Sequence, residues 1–371
     1  MPPAAPPKNA LARWLDSQRH PRNLRIPFQS LVLFTRQLVT LLYSGVPIVQ
    51  SLDTLSYQSE NPKFGEAVAD ISHRVSSGSR LSDALTHYPG IFSQIYVVMV
   101  RIGEQGGDLD RSLESLAGWL ERDGQMLQRA KSALTYPAFV AVLTTGLTFA
   151  LFYLVMPAFL GIFSDLGAQL PLITRIVIAI TEGVRNPAVW LGGLWLVGAF
   201  VHEIRLAWRT PRGRVFLYDL LLHIPMIGGV LYNSSCSRFC AALEALLGSG
   251  SDLSRSLKLA ATVSGSPIIA QDADHLVASV VLGSQPSDHM YAHPEIYSAT
   301  MTHMASAGEE ASRLPEMLGR ASQFHLLEME SSIDALKASI EPLMLGTVAC
   351  IVAVIVLSIF LPLYGFLDKI G

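Results

Sequence analysis

The residues of this chain that could do chemistry begin with a glycine-rich hexapeptide, GEQGGD, at residues 103–108. Its glycines resemble those of a phosphate-binding loop, in which backbone N–H groups cradle an anion. No predicted strand precedes it and no Lys-Ser/Thr pair follows it, so the signal for a nucleotide is weak. We interpret it as a joint between two helices, with Asp108 capping the second one. The alternative is that Glu104 contacts a partner or a cation.

The other candidate nucleophiles and ligands form no recognisable motif. The sequence contains no G-x-x-x-x-G-K-[ST], no G-x-S-x-G, no H-E-x-x-H and no paired C-x-x-C. We interpret its 10 histidines as single, scattered residues. Cys236 and Cys240 share a helix face, but without a second Cys or His pair at ligand spacing they predict two small buried side chains. We therefore expect no catalytic residue, no cofactor and no metal.

The composition points to a membrane protein. Half of the 371 residues are hydrophobic, only 15% are charged, and the mean hydropathy is +0.37. A soluble protein would carry about a quarter charged residues. The formal net charge of -3 leaves no basic stripe for nucleic acid. The 3 cysteines are too few for a disulfide framework and suit a reducing cytosol.

The elements that position these residues occur twice, because the chain contains a second copy of itself displaced by 205 residues. The landmarks are glycines and prolines, which constrain the backbone rather than do chemistry. The matching pairs are Gly45/Gly250, Pro62/Pro267, Gly78/Gly283, Gly103/Gly308, Pro137/Pro342 and Pro157/Pro362. In the second copy the joint reads GEEASR at residues 308–313, where Glu309 repeats Glu104 and Ser312 is the candidate cap. One structural unit is therefore predicted to be duplicated.

Three segments are predicted to span a membrane. Residues 137–160 and their repeat partner 342–367 carry no charge, and each is long enough to cross a hydrocarbon core of about 30 Å. Residues 187–206 form a third span with tryptophans suited to interfaces. The apolar segment 170–180 is short and contains Arg175, so it better suits an interfacial helix in a loop. Pro157 and Pro362 fall near the outer ends of their spans, where a proline ends or kinks a helix.

The repeat and the distribution of basic residues together predict the topology. Both copies can lie on one side of the membrane only if a return span separates them, and residues 187–206 supply it. Arg and Lys residues precede the first span and follow the middle one, which places both copies in the cytoplasm. Residues 1–23 have no apolar core or cleavage site of a signal peptide, so the N-terminus is expected to be cytoplasmic. The predicted segments are an N-terminal cytoplasmic tail (1–27), a first bundle (28–136), a span (137–160), a periplasmic loop (161–186), a span (187–206), a linker and second bundle (207–341, repeat from about 234), a span (342–367) and a periplasmic tail (368–371).

The fold class is predicted to be all-α. Leucines recur at helical spacing from Leu109 onward, and the copy does the same from Leu314, so each unit ends in a long amphipathic helix that leads into its span. Glycines, prolines and serines divide the earlier part of each unit into segments of helical length. The sequence therefore predicts two cytoplasmic bundles of about six helices each.

Five short motifs resemble the type II secretion system F family, the inner-membrane platform proteins of type IV pilus, type II secretion and competence machines. They are FTRQL at 34–38, SGVP at 44–47, RIGE at 101–104, GDL at 107–109 and KSALTYP at 131–137. The resemblance extends over about residues 28–367. The family-motif positions it marks are Gly45, Pro47, Gly103, Glu104, Gly107, Tyr136, Pro137, Gly250, Gly308, Glu309 and Pro342. The second copy departs from the pattern, with Asp252 where Pro47 stands in the first copy and Ser312 where Gly107 stands; Asp252 can cap a helix as Pro47 can start one.

The resemblance implies a non-enzymatic scaffold in the bacterial inner membrane. Its implied partners are a hexameric cytoplasmic ATPase, other inner-membrane assembly proteins, pilin or pseudopilin subunits, and further copies of the same chain. One alternative is a transporter or channel built on the internal repeat. The two repeated spans argue against it, because they lack the charged or His residues that ion-coupled carriers place in mid-membrane. A second alternative is a membrane-embedded enzyme that uses Glu104 and Glu309.

Overall fold

The computed structural model describes residues 24–155, 172–225 and 227–370. Predictions for the N-terminal tail before residue 24, for Pro157 and for the loop residues 161–171 lie outside this range. The contacts between residues in the structure divide the chain into two units. The bundle unit comprises Met1–Leu127 and Tyr232–Leu327, and the span unit comprises Gln128–Leu231 and Glu328–Gly371.

The fold is all-α, since helices connected by turns account for all the regular structure among the described residues. The first copy contains α1 (Phe28–Tyr43), α2 (Ile48–Gln58), α3 (Pro62–Ser76), α4 (Leu81–Leu85), α5 (Gln94–Gly106) and α6 (Leu109–Ala150), which continues into a π-helical turn at Leu151–Val155. Between the copies lie α7 (Leu172–Arg185), α8 (Pro187–Arg209) and α9 (Pro211–Leu222). The second copy contains α10 (Ile227–Gly248), α11 (Leu253–Val263), α12 (Pro267–Val281), α13 (Pro286–Ala292), α14 (Ala299–Glu310) and α15 (Leu314–Ile370). The prediction of about six helices in each bundle is confirmed.

The two bundles repeat each other in their cores. In the first, the rings of Phe34 and Phe92 lie edge to face with centroids 6.3 Å apart. The residues 205 positions later are Phe239 and Tyr297, whose centroids are 6.2 Å apart. All four side chains are buried. Aromatic pairs at this separation stabilise a core beyond the burial of their area, so the duplication preserves the packing as well as the sequence.

The turn after the first helix of each bundle also repeats. Gly45 and Gly250 have φ values of 80° and 87°, the left-handed conformation that favours glycine. In the second copy, the side chain of Asp252 accepts a hydrogen bond from Arg255 N and caps α11. Pro47 directly precedes α2 in the first copy. The prediction that Asp252 caps where Pro47 starts a helix is confirmed.

Three helices within the described ranges are long and apolar enough to cross a membrane. They lie within Leu109–Leu154, Pro187–Arg209 and Leu314–Ser358. These are the three predicted spans. Pro187 begins the middle helix, whereas the described prolines of the two repeated spans do not mark helix starts or ends. Helix α6 runs through Pro137, and α15 runs through Pro342 and Pro362. A proline costs one backbone hydrogen bond, and the remaining bonds of a long membrane helix tolerate that loss.

Helix α7 corresponds to the predicted interfacial helix, and it packs against protein. Val177 is fully buried in a small apolar cluster with Phe152 and Ile355. Thr174 is buried one turn earlier, and its Oγ1 donates a hydrogen bond of 3.0 Å to Ser358 O. One face of α7 therefore covers parts of both repeated apolar helices inside the span unit.

Candidate functional site: the glycine-glutamate joints and the seam between the bundles

Glu104 lies near the end of α5 and caps the short helix α4. Leu81 N donates to Glu104 Oε1 at 2.5 Å, and Ser82 N donates to Oε2 at 3.1 Å. The first N–H groups of a helix have no partner within the helix, and its N-terminus carries a partial positive charge. The carboxylate satisfies two of these groups and complements that charge. The joint therefore holds two helices of the bundle together.

Glu309 repeats this arrangement with one chemical change. Helix α13 begins with Pro286, which has no N–H to offer where Leu81 offers one. Ser287 donates from its backbone N to Glu309 Oε1 at 3.0 Å and from its hydroxyl to Oε2. Both carboxylates thus fasten the start of the neighbouring short helix. A role of Glu104 and Glu309 in binding a partner or a cation stays a prediction.

The glycine of each joint allows two helices to approach closely. A Cβ on Gly103 would lie 2.8 Å from Ser112 Cβ, and a Cβ on Gly308 would lie 2.8 Å from Leu314 Cα. Real Cβ atoms do not approach other atoms so closely, and a close-packed interior leaves little room for adjustment. Gly103 and Gly308 therefore permit the contact between the fifth helix of each bundle and the long helix that follows.

The end of the joint differs from the sequence prediction in the second copy. Asp108 caps α6 through a long hydrogen bond of 3.4 Å from Arg111 N, as predicted. Ser312 does not cap α15, because it ends the preceding turn with φ 53°, matching Gly107 at φ 71°. Among the described non-glycine residues, only Ser312 has a positive φ. The residue directly before α15 is Arg313, the counterpart of Asp108.

The remaining family-motif residues lie elsewhere. Tyr136 and Pro137 are neighbours in α6 within the span unit, and the Tyr136 side chain is exposed while Pro137 is buried. Pro342 lies in α15. The structure therefore places the eleven motif residues at turns, at joints and in apolar helices rather than in one cluster.

Two ion pairs join the bundles to each other inside the bundle unit, and we call these four residues the seam. Arg122 on α6 contacts Glu244 on α10 at 2.9 Å, and Arg238 on α10 contacts Asp123 at 2.6 Å. Their side chains are only 15% to 28% exposed. Burial raises the pKa of Glu244, and Arg122 opposes that rise. Salt and solvent screen the attraction between largely buried charges less than that between surface charges. The seam therefore holds the bundles in register.

The two copies differ around the seam. In the first bundle Arg36 Nη1 donates to Glu114 at 2.8 Å, and its Nε donates to Glu121 at 2.6 Å. These hydrogen bonds, to Glu121 first and then to Glu114, raise the pKa of Arg36. The corresponding second-copy residues are Ala241, Gly319 and Leu326. The seam was not predicted from the sequence, although Glu244 is a lone acidic residue in the apolar run CAALEALLG and was a signal for it.

The prediction that the histidines are scattered singly is wrong. His289 and His293 are four residues apart, a spacing that was visible in the sequence, and they lie beside Asp272. His289 Nε2 and Asp272 Oδ2 are 2.8 Å apart, and Tyr297 donates its hydroxyl proton to the same oxygen at 2.7 Å. Burial and the Asp272 carboxylate raise the pKa of Tyr297. Asp272, His289 and His293 form the one group of three potential metal ligands among the described residues.

The comparison with protein families agrees with the duplicated architecture. The model of the family described as type II secretion system (T2SS), protein F matches residues 34–157 and 239–362. These two matches are again 205 residues apart and cover most of both copies. This chain belongs to that family. The resemblance in the five motifs and the helical fold class are thereby confirmed.

Named relatives come from two kinds of machine. A type IV pilus assembly protein PilC from Thermus thermophilus is 33% identical over 343 residues, covering 92% of this chain and 84% of the relative. A type II secretion system protein F from Pseudomonas aeruginosa is 30% identical over 345 residues, with coverage of 92% and 84%. A PilC from Pseudomonas aeruginosa is 27% identical over 342 residues, with coverage of 92% and 91%. Membership of this family and the three apolar helices together indicate an inner-membrane protein.

Proposed function

We propose that this family member is the inner-membrane platform of a type IV pilus or type II secretion machine. In this role it is a non-enzymatic scaffold that receives force from a hexameric cytoplasmic ATPase and helps lift pilin or pseudopilin subunits out of the bilayer. Other inner-membrane assembly proteins and further copies of the chain complete the assembly. The names of the relatives support the platform role, and a partner that supplies the energy is consistent with a sequence that has no recognisable nucleotide motif.

The observation that carries the proposal is the way the bundles are connected. The seam ties α6 to α10 with two largely buried ion pairs. Helix α6 is uninterrupted from Leu109 to Ala150, and α15 from Leu314 to Ile370, so each bundle continues into an apolar helix without a flexible linker. In the proposed role, a displacement of one bundle would be passed to the other bundle through the seam.

For the topology we propose that both bundles and the N-terminus are cytoplasmic and that the C-terminus is periplasmic. Helix α8 is the unpaired apolar helix that allows both copies to lie on one side. Basic residues at its end support this orientation through the positive-inside rule: Arg205, Arg209, Arg212 and Arg214. Reporter fusions at Ala168 should behave as periplasmic and fusions at Gly265 as cytoplasmic. The opposite pattern would overturn the topology.

The partner is tested by in-cell crosslinking of the full-length chain, followed by purification and identification of the crosslinked proteins. We expect an assembly ATPase among them, and we expect the purified chain alone not to hydrolyse ATP. If no ATPase is recovered from cells that assemble pili or secrete protein, the proposed coupling between this chain and an ATPase is wrong. A charge reversal at the seam, Arg122→Glu, should reduce assembly at an unchanged protein level, and the double change with Glu244→Arg should restore it. Glu66→Arg, on an exposed face of α3, is the matched control that should leave assembly unchanged.

The two alternatives differ from the platform in what they require. A transporter requires solute flux in proteoliposomes, and the repeated segments 137–160 and 342–367 carry no charged or His residue that would support one. An enzyme using Glu104 and Glu309 requires that Glu→Gln substitutions abolish product formation while assembly survives. Both carboxylates are occupied by helix capping, which accounts for their presence without catalysis.

A further inference from the structure

We propose that Asp272, His289 and His293 form a binding site for a divalent transition metal ion, such as Zn²⁺, in the second bundle. This site is independent of the platform role. Two imidazole nitrogens and one carboxylate oxygen are a ligand set used for zinc and related metals. Mg²⁺ and Ca²⁺ prefer oxygen ligands, so the two histidines select against them.

The ligand atoms already converge. One potential ligand atom from each residue lies within 4.8 Å of the other two. Tetrahedral zinc with bonds of about 2.0–2.2 Å separates its ligands by about 3.4 Å. The contact of 2.8 Å between His289 Nε2 and Asp272 Oδ2 therefore opens slightly on binding, while the His293 ring moves closer. Side-chain rotations of about an ångström are sufficient, because the rings of His289 and His293 are already 4.6 Å apart between centroids.

The surroundings of the cluster suit a metal site. The side chains of Asp272 and His289 are only 9% and 10% exposed, whereas that of His293 is 39% exposed and provides a route for the ion. His293 Nδ1 lies 3.1 Å from Glu295 Oε1. Donation of that N–H to the carboxylate leaves Nε2 with the lone pair that a metal needs. Tyr297 orients Asp272 in the same way, through its hydroxyl. Outer partners of this kind fix ligand orientation in metal sites.

The first bundle provides an internal comparison. The positions equivalent to the three ligands are Ala67, Ala84 and Tyr88, and all three are buried in the core. The first bundle has the same six helices without any of the ligands, so the fold itself does not require them. Three ligand residues occur together in one copy: Asp272 on α12, His289 on α13 and His293 directly after α13. This joint occurrence favours a ligand over a packing role.

The test measures zinc bound by the full-length chain, purified in detergent with a tag that contains no histidine. After dialysis against Zn²⁺ and removal of unbound ion, we expect one zinc per chain by elemental analysis. Each single change to the first-copy residue, Asp272→Ala, His289→Ala or His293→Tyr, should weaken binding at least tenfold in calorimetric titration. Mg²⁺ should not compete. His303→Ala is the matched control, because His303 is an exposed histidine of the neighbouring helix α14, outside the cluster.

The outcomes separate a metal site from a hydrogen-bonded polar cluster. Visible ligand-field bands of Co²⁺ that appear with the unaltered chain and disappear with His293→Tyr would support the site. His293 is the most exposed of the three ligands, so this variant keeps the test valid if a buried substitution impairs folding. Stoichiometric zinc retained by a folded chain with all three substitutions would overturn the proposal. So would the absence of zinc binding by the unaltered chain.

Discussion

The carboxylate of Glu244 lies directly against Gly319. The residue of the first bundle that is equivalent to Gly319 is Glu114. A side chain at residue 319 would displace Glu244, and Glu244 is the partner of Arg122 across the seam. The first bundle uses the equivalent position to pair Arg36 within itself. The two copies therefore differ beside the seam. The first pairs Glu114 with Arg36 inside its own bundle, whereas the second has Glu244, at the position equivalent to Val39, in contact with Arg122 of the first bundle.

The seam should behave as a coupled pair in a double-mutant cycle. We expect Arg122→Ala and Glu244→Ala each to lower the stability of the full-length chain, because each leaves a largely buried charge without its partner. The coupling free energy between the two changes should be about 1 kcal/mol. Thermal unfolding in detergent of the two single variants and the double variant measures it. Additive effects within about 0.3 kcal/mol would mean that the pair does not join the bundles.

The caps of the joints should contribute to stability in both copies. Glu104→Ala removes the acceptor of two backbone N–H groups at the start of α4, and we expect a loss of about 1–2 kcal/mol. Glu309→Ala should have a similar effect on α13. Glu104→Gln keeps an acceptor oxygen and should cost less. Thermal unfolding checks the three variants. The control Glu66→Ala, on an exposed face of α3, should change the unfolding midpoint little. Equal losses of stability for Glu66→Ala and Glu104→Ala would contradict a capping role.

Two glycines with different surroundings provide a matched pair. Gly103→Ala would bring a Cβ to 2.8 Å from Ser112 Cβ, and we expect a loss of about 1–3 kcal/mol from overpacking. Gly118→Ala meets no atom within 4 Å inside α6, and the higher helix propensity of alanine should stabilise the chain by about 0.5–1 kcal/mol. Unfolding midpoints should therefore shift in opposite directions. Shifts of the same sign would mean that the close approach at Gly103 does not constrain the joint.

Acid should destabilise the second bundle through His325. Burial lowers the pKa of this histidine from 6.5 to about 4, and its ring contacts Ser298 and Asn233. Between pH 6.5 and about pH 4 the unfolded chain binds a proton at His325 that the folded chain does not bind. The free energy of unfolding therefore falls as the pH drops through this range. The loss at the lower end is at most about 3 kcal/mol.

A variant with the first-copy residue tests this acid effect. His325→Leu corresponds to Leu120 and removes the titrating group. Unfolding midpoints measured from pH 7 to pH 4 should therefore fall less steeply for His325→Leu than for the unaltered chain. His303→Gln, at an exposed histidine, should leave the slope unchanged. Parallel slopes for the unaltered chain and His325→Leu would exclude His325 as the source of acid sensitivity.

Local patterns in the sequence were sufficient for the architecture. The repeat offset, the apolar segments and the six-helix count follow from composition, from helical periodicity and from the conformations that Gly and Pro impose, all of which act over a few residues. The same reasoning predicted that Asp252 caps α11. It failed for Ser312, because the left-handed turn at this position became evident only when the helix boundaries were known.

The contacts between helices were decided by the tertiary structure. The seam joins Arg122 to Glu244, and the candidate metal site joins Asp272 on α12 to His289 on α13. No local pattern relates such residues, because helix packing determines which side chains converge after several turns of chain. Thus the amino-acid sequence alone determined that one helical unit occurs twice with a span after each copy. Only the packing of those helices decided how Glu104 and Glu309 are used, how the bundles are joined, and where the second copy differs from the first.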